Sequence, residues 1–259
     1  KAAYLLGGCV VYMGGAYAAF QYFSPEKESG PTREGQPTKE ERLGVMNEIA
    51  SIYDSELVKS STEWWVGITK MRQKLLAQAN GRVLEIAGGT GKNLEHYTPQ
   101  CEELLVIDWS DRMVQTALWK LRSLQKQKKL HFAPNTKVHF KVMDAEALAL
   151  PDDSFDTVVD TYGLCSFDDP VQAVREMGRV CKPDGKILLL EHGRSHLHGW
   201  LNHYVLDRSA TDHSWKYGCT WNRDISQIVE EAGLEVVSQK RRHLGTNSII
   251  VACPIQQKS

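Results

Sequence analysis

Val83-Leu84-Glu85-Ile86-Ala87-Gly88-Gly89-Thr90-Gly91 joins an apolar run to a turn that holds three glycines. Val83, Leu84 and Ile86 suit a strand covered on both faces, as a parallel sheet requires. The turn after them carries too little side chain to be packing material, so a ligand is expected to approach its backbone. A helix expected from about residue 91 to 98 would aim its free N–H groups at the same place. A dinucleotide site would read G-x-G-x-x-G, but Ala87-Gly88-Gly89-Thr90-Gly91-Lys92-Asn93 lacks the third glycine. A P-loop would want a hydroxyl where Asn93 stands. What remains is a strand-end acid, Glu85, a small-residue loop, and a second acid, Asp108, closing Leu104-Leu105-Val106-Ile107. An acid ending the second strand suits the hydroxyls of a ribose.

Outward from this stretch the chain alternates strand and helix, which predicts a parallel sheet with helices on both faces. Strands are expected at 82–87, 103–108, 137–142, 155–161, 185–191, 234–241 and 247–253, with further helices near 111–129, 169–181 and 222–232. The long helix has Val114, Ala117, Leu118, Leu121 and Leu124 on one side. Its end holds Lys120, Arg122, Lys126, Lys128 and Lys129, either a solvated C-terminus that complements the helix dipole or a contact for anionic headgroups. Thr38-Lys39-Glu40-Glu41 has capping-box spacing and opens a helix with Leu43, Met46, Ile49 and Ala50 on one side. Ser60-x-x-Glu63 has the same spacing. It predicts one helix through Trp64, Ile68, Met71, Leu75 and Ala79, ended by Asn80-Gly81.

Four segments in register carry a family resemblance: VLEIAGGTGKN, VIDWSDRMV, DAEALALPDDSFDTVV and CKPDGKILLLEHG. In this order they resemble the motifs of a class I S-adenosylmethionine (SAM)-dependent methyltransferase of the type-11 group, which includes ubiquinone/menaquinone C-methyltransferases. The resemblance covers about residues 43 to 253. It implies a Rossmann-like sheet of seven strands, order 3-2-1-4-5-7-6, with the last strand antiparallel. Ala87 stands where that family usually has Gly, and Gly88 where Cys is frequent.

The same resemblance implies SAM as cofactor and assigns its site. Glu85 would hold the loop and face the amino group, Gly88, Gly89 and Gly91 would let the backbone touch the amino-acid and ribose portions, and Asp108 would take the ribose diol. Trp109 and Met113 would flank the adenine, and Asp144 with Ala145 would read its edge. Tyr53, in Tyr53-Asp54, would cover the cofactor; as plain sequence it is equally a helix-packing aromatic. For Asp108 and Asp144 the bland alternative is strand-end capping. On the acceptor side stand Thr161-Tyr162-Gly163 and Glu191-His192-Gly193. Tyr162 and His192 are the catalytic candidates, with His192 the proton acceptor by pKa class, or else a strand-end histidine bonded to backbone.

The 259 residues are 42% hydrophobic and carry a formal charge of −1, which gives no basic face for nucleic acid and no nucleic-acid partner is expected. Cys9, Cys101, Cys165, Cys181, Cys219 and Cys253 form no C-x-x-C pair and read as reduced. Ala2 to Phe20 holds no charged side chain and, at ~1.5 Å per residue, is long enough to cross a ~30 Å hydrocarbon core. Residues 1–23 are therefore expected to be a single-pass transmembrane helix in contact with lipid. A signal peptide is opposed by interfacial aromatics where a cleavage site would be, and a buried helix is the other alternative. Ala3, Gly7, Gly14 and Ala18 share a face on which a partner helix or membrane complex could pack. A chain starting at Lys1 without a Met suggests an N-terminal segment that was removed or is not shown, and a mitochondrial presequence would explain it.

Residues 24–42 read as a linker and 43–259 as the catalytic domain. Within it, 196–221 is an insertion dense in His, Tyr and Trp, either a lid over an apolar acceptor or an aromatic subcore. The spacing of His192, His196, His198 and His203 would permit a metal, but no carboxylate or Cys completes it, so none is expected. Tyr217-Gly218-Cys219-Thr220-Trp221-Asn222-Arg223-Asp224, with the expected anchor, resembles a membrane-anchored subset of the family. That subset includes a fungal mitochondrial inner-membrane protein and animal thiol methyltransferases of ER and lipid-droplet membranes. It implies a small lipid-soluble or thiol acceptor. A degenerate SAM-binding accessory subunit is the alternative from another class, and RNA methylation a third, disfavoured by charge.

Overall fold

The structure is a computed structural model that describes residues 35–57 and 60–255. The expected membrane helix at 1–23 and most of the expected linker lie outside the described residues. Among the described residues, no helix is long and apolar enough to cross a membrane.

Seven strands form one sheet in the order β3-β2-β1-β4-β5-β7-β6. They are β1 (Gly81–Ile86), β2 (Cys101–Asp108), β3 (Lys137–Val142), β4 (Phe155–Thr161), β5 (Cys181–His192), β6 (Leu234–Arg242) and β7 (Asn247–Pro254). β1 pairs parallel with β2 and β4, and β7 runs antiparallel to both β5 and β6. The expected class, order and antiparallel last strand all stand. Alternation along each strand feeds two apolar layers: Leu84, Ile86, Leu105 and Ile107 on one face, Val83, Leu104, Val106 and Leu188 on the other. The outer strands β3 and β6 are mostly exposed, while β1, β4 and β5 are buried, as central strands covered by helices must be.

Helices α1 (Lys39–Ile49), α2 (Ser60–Trp65), α3 (Ile68–Leu76), α4 (Asp111–Lys126), α5 (Pro170–Val180), α6 (Gly199–Leu201), α7 (Asp207–Tyr217) and α8 (Ile225–Glu231) complete the described fold, with π-helical turns at Tyr53–Leu57 and Asn202–Leu206. The Thr38 capping box is formed in full, so α1 begins inside the expected linker. Its buried residue is Arg42, which donates to Pro37 O, Gly218 O, Thr220 Oγ1 and Asp168 Oδ1 and ties α1 to the end of the insertion.

Two expectations are corrected. The single helix from Ser60 is broken in two, because Gly67 adopts φ 82 between α2 and α3, and Trp64 and Trp65 are left exposed; the Ser60 cap lies outside the described side chains. The helix expected at 91–98 is instead a run of turns, with Gly91 N bonded to Gly88 O and His96 N to Asn93 O. Asn93 and Tyr97 are drawn to the buried carboxylate of Glu85 on the interior strand β1, and that competes with a helical ladder.

Candidate functional site

At the carboxyl ends of β1 and β2 the chain turns through Ala87 (φ 48), Gly89 (φ 54) and Gly91 (φ 77), all left-handed. A Cβ on Gly88 would overlap Val106 and one on Gly91 would press on Leu94 and Ala117, so packing demands both glycines. Gly89 faces open space: a Cβ there would meet nothing nearer than Ala87 O at 3.9 Å. A ligand can therefore lie against the backbone at this point. Asp108 faces the same point, its Oδ2 accepting from Gly89 N at 2.9 Å and its Oδ1 from Ser110 N at 2.9 Å. Burial pushes its carboxyl up to about 6, although those amides pull the other way.

Ser110 caps α4 by accepting from Met113 N at 3.1 Å, which fixes the buried Met113 beside the loop. Trp109 and Asp144 meet at an unforeseen lysine: Lys39 Nζ lies 5.5 Å from the Trp109 ring centre and donates to Asp144 Oδ2 at 2.6 Å and Glu146 Oε2 at 3.3 Å. Ala145 is buried behind Asp144.

Glu85 is turned inward. Tyr97 Oη donates to its Oε2 at 2.7 Å and Asn93 Nδ2 to its Oε1 at 3.0 Å, so the carboxylate holds the turns to β1. Burial pushes it up to about 7. Arg72, 4% exposed, links this network to the next strand: it donates to Asn93 Oδ1 (2.7 Å), Thr161 Oγ1 (2.8 Å) and Glu63 Oε1 (3.2 Å). Lys92 also pairs with Glu63, at 2.9 Å. Tyr53 is brought to the loop by its neighbour, because Asp54 accepts from Thr90 Oγ1 at 2.7 Å and from Lys120 Nζ. Burial pushes the Tyr53 hydroxyl well above the usual phenol range, and its electrostatic neighbours are Cys165, Cys219 and Arg72.

At the ends of β4 and β5 the groups are of another kind. Tyr162 adopts φ 62, a strained conformation for a bulky residue. It is fixed from three sides: its N–H donates to Leu190 O and Glu191 Oε1, both at 2.9 Å, and its hydroxyl to Asn247 Oδ1 at 2.8 Å. The Tyr162 and His192 rings meet edge to face at 5.3 Å. His192 Nε2 lies 3.2 Å from Cys219 Sγ, which gives one of its two ring nitrogens a partner inside the fold. Cys165 Sγ lies 3.5 Å from Tyr162 O and 3.6 Å from Ser166 Oγ. Behind them Asp160 and Glu191 are fully buried, and burial pushes both carboxyls well above the usual range.

The structure thus gathers Ala87, Gly88, Gly89, Gly91 and Asp108 around one loop, Trp109 and Asp144 around Lys39, and Tyr53, Tyr162 and His192 around the thiols. The insertion 196–221 is helical, with His213 stacked on Trp221 at 3.9 Å and Trp221 Nε1 donating to Leu206 O. Its other histidines disperse: His196 meets Asp224, His198 meets Trp200 and His203 meets Tyr204. Sequence reading missed Lys39, Arg72 and the pairing of Cys165 with Cys219. Among the cationic residues Lys70, Arg72 and Lys74 of α3, only Arg72 falls beside Met71 on the side of Leu75 and Leu76, which was the available signal. For the two cysteines, 54 positions apart in the chain, spacing offered none.

Comparison with known proteins matches residues 66–239 to the family described as "Methyltransferase domain". A mitochondrial methyltransferase of Saccharomyces cerevisiae, OMS1, is 34% identical over 220 residues, 79% of this chain and 44% of that protein. The ubiquinone/menaquinone biosynthesis C-methyltransferase UbiE of Shewanella oneidensis is 30% identical over 159 residues, 58% of this chain and 59% of its own. The chain thus spans about half the length of the curated relatives it matches. Among solved structures, the YcgJ protein of Bacillus subtilis superposes with TM-score 0.51 and 26% identity, over 68% of this chain and 72% of its own. The [4+2]-cyclase SpnF superposes with TM-score 0.62 at 16% identity, over 85% and 98%, a likeness of fold alone.

Proposed function

Because the chain belongs to the methyltransferase-domain family, whose cofactor is S-adenosylmethionine, we propose that it transfers a methyl group from SAM to a small hydrophobic or thiol acceptor beside a membrane. The observation that carries this reading is the Asp108 carboxylate held on the Gly89 amide at the shared mouth of β1 and β2. When bound, SAM supplies an electrophilic methyl on a sulfonium. The residues here need only align donor and acceptor and keep water out.

Asp108 offers acceptor oxygens to ribose hydroxyls, and the open face of Gly89, with Gly88 and Gly91, lets the methionine portion lie on backbone. Glu85 acts behind the loop through Asn93 and Tyr97. Trp109, Met113, Asp144 and Ala145 frame the adenine, and Tyr53 closes over the site on the Asp54–Thr90 hinge. Tyr162 and His192 line the acceptor side, where their locked rings orient the nucleophile. The insertion 196–221 covers that side.

Membrane tethering through residues 1–23 is part of the proposal. It is supported by the charge-free stretch Ala2 to Phe20 and by the mitochondrial relative, which favours a mitochondrial membrane over ER or lipid droplet; the inner membrane is the one implied by the family resemblance. A second reading, a SAM-binding accessory subunit of a membrane complex, is favoured by one observation: His192 Nε2 lies against Cys219 Sγ within the fold. Calorimetry with SAM tests the pocket: Asp108→Ala should weaken binding at least tenfold, and unchanged affinity would overturn the assignment. Labelled SAM with membrane extract separates the two readings. Label in a lipid or thiol fraction supports the enzyme, and SAM binding with background label supports the accessory role.

A further inference from the structure

Three metal-ligating side chains converge where β4 and β5 end. Cys165 Sγ, His192 Nε2 and Cys219 Sγ all lie within 4.8 Å of one another. Tetrahedral zinc, with bonds of about 2.3 Å to sulfur and 2.0–2.1 Å to nitrogen, separates its ligand atoms by roughly 3.5–4 Å. Closing the cluster on an ion therefore takes side-chain shifts of about 1 Å or less. Each ligand comes from a separately fixed segment. Cys165 sits in the turn after β4, closed by Ser166 N on Gly163 O. His192 is the last residue of β5 and is paired with Asn247 of β7. Cys219 follows the left-handed Gly218, and Thr220 N donates to Cys165 O at 2.8 Å, which stitches the two cysteine segments together.

The surroundings supply a second observation. Both carboxylate oxygens of Asp160 and Oε2 of Glu191 are buried without a hydrogen-bond partner. Glu191 directly precedes His192, and Cys165 is an electrostatic neighbour of both acids. When ionised, buried carboxylate oxygens left without a partner are costly, and a nearby cation would offset that cost. Two sulfurs and an imidazole select zinc over hard cations such as magnesium or calcium.

We propose that Cys165, His192 and Cys219 bind one zinc-class divalent cation and leave its fourth position to a ligand from outside the chain. The proposal deepens the reading of the acceptor side and rests on it for its use. A thiol or water at the fourth position gives its proton to solvent and stays as the metal-bound anion, so the reaction needs no free histidine base. His192 is then a ligand, which accounts for its engaged Nε2.

The test uses the full chain, purified under reductant, stripped with a chelator and titrated with Zn(II) and with Co(II). The expected result is one tightly held equivalent of zinc by elemental analysis. Cobalt should give a thiolate-to-metal charge-transfer band in the near ultraviolet and intense tetrahedral bands in the visible. Cys165→Ser, Cys219→Ser and His192→Ala should each weaken uptake at least about tenfold, while Cys253→Ser leaves it unchanged. Calorimetry with SAM on the same samples reports folding independently of metal. A protein that binds SAM but takes up no metal overturns the metal site and leaves the methyltransferase reading standing. A Cys165–Cys219 disulfide in the folded protein with no metal uptake overturns it too, as does cobalt binding that survives Cys165→Ser. Metal uptake without SAM binding would sustain this proposal and sink the other.

Discussion

At the β1–β2 end of the crevice the groups presented are backbone amides, an open glycine and one carboxylate; at the β4–β5 end they are two rings, two thiols and an imidazole. The first end is local. Ala87 to Gly91 and Asp108 lie within 22 residues of chain, and the hydrogen bond from Gly89 to Asp108 joins neighbouring strands. The second end is assembled from Tyr53, Tyr162, Cys165, His192, Cys219 and Asn247, which no short motif spans. A cofactor shared by many proteins can be held by backbone, which every sequence has. An acceptor peculiar to one protein has to be met by side chains, and their meeting depends on the whole fold.

The largest effect should come from the residue that joins the two ends. Arg72→Ala leaves the buried Glu63 with Lys92 as its remaining ion-pair partner and removes donors from both Asn93 and Thr161, so it should destabilise the fold by roughly 2–4 kcal/mol in chemical denaturation. A loss below about 1 kcal/mol would mean that the two ends are independent. Next comes pH at the cofactor end. Asp108 titrates near 6, above the ordinary carboxyl value of 3.8, so its folded form holds a proton more tightly than the unfolded chain does. Its contribution to stability is present at acid pH and is lost as pH rises from about 4 through about 6. SAM binding should run the opposite way, weakening by up to tenfold per pH unit below about 6 as the acceptor is neutralised. Calorimetry across that range should show this slope in the wild type and none in Asp108→Asn.

Tyr162→Phe sharpens the contrast from the acceptor end. Losing the bond to Asn247 should cost about 1 kcal/mol of stability. It should slow methyl transfer and leave SAM affinity unchanged, whereas a matching fall in SAM affinity would merge the two ends into one site. The smallest expected effect is at Ala87. Glycine would relieve a left-handed alanine worth roughly 1–2 kcal/mol, partly offset by the entropy of a freer unfolded chain. A net gain of up to about 1 kcal/mol should appear as a modest rise in Tm.

What could be read from sequence follows the same division. The strands and the loop with Asp108 were legible, since apolar runs, glycines and strand-end acids are local patterns; the order of the strands was implied by the family resemblance alone. The helix expected after Gly91 was not, because Asn93 and Tyr97 answer to Glu85 inside the molecule and not to their neighbours in the chain. The break at Gly67 was masked by an apolar spacing that fits a helix on either side of it. Trp64, placed by that spacing on a buried face, is 65% exposed. Lys39 and Arg42 looked like linker charges, and their partners Asp144 and Asp168 lie more than 100 positions away. Nor could the chain alone show that His192 faces Cys219, which needs the insertion folded back onto β5.

The hairpin between β6 and β7 works as a ruler. His243, Leu244 and Gly245 all take left-handed conformations there, and Ser195 Oγ clamps the turn by donating to Leu244 O. That turn fixes which residue of β7 stands opposite His192, and the same residue, Asn247, holds the Tyr162 phenol. Inserting one residue would slip β7 by a step and turn every one of its side chains to the opposite face. Turn length thereby sets how the Tyr162 ring is held beside His192 and, on the proposed reading, the angle at which it would meet an incoming molecule.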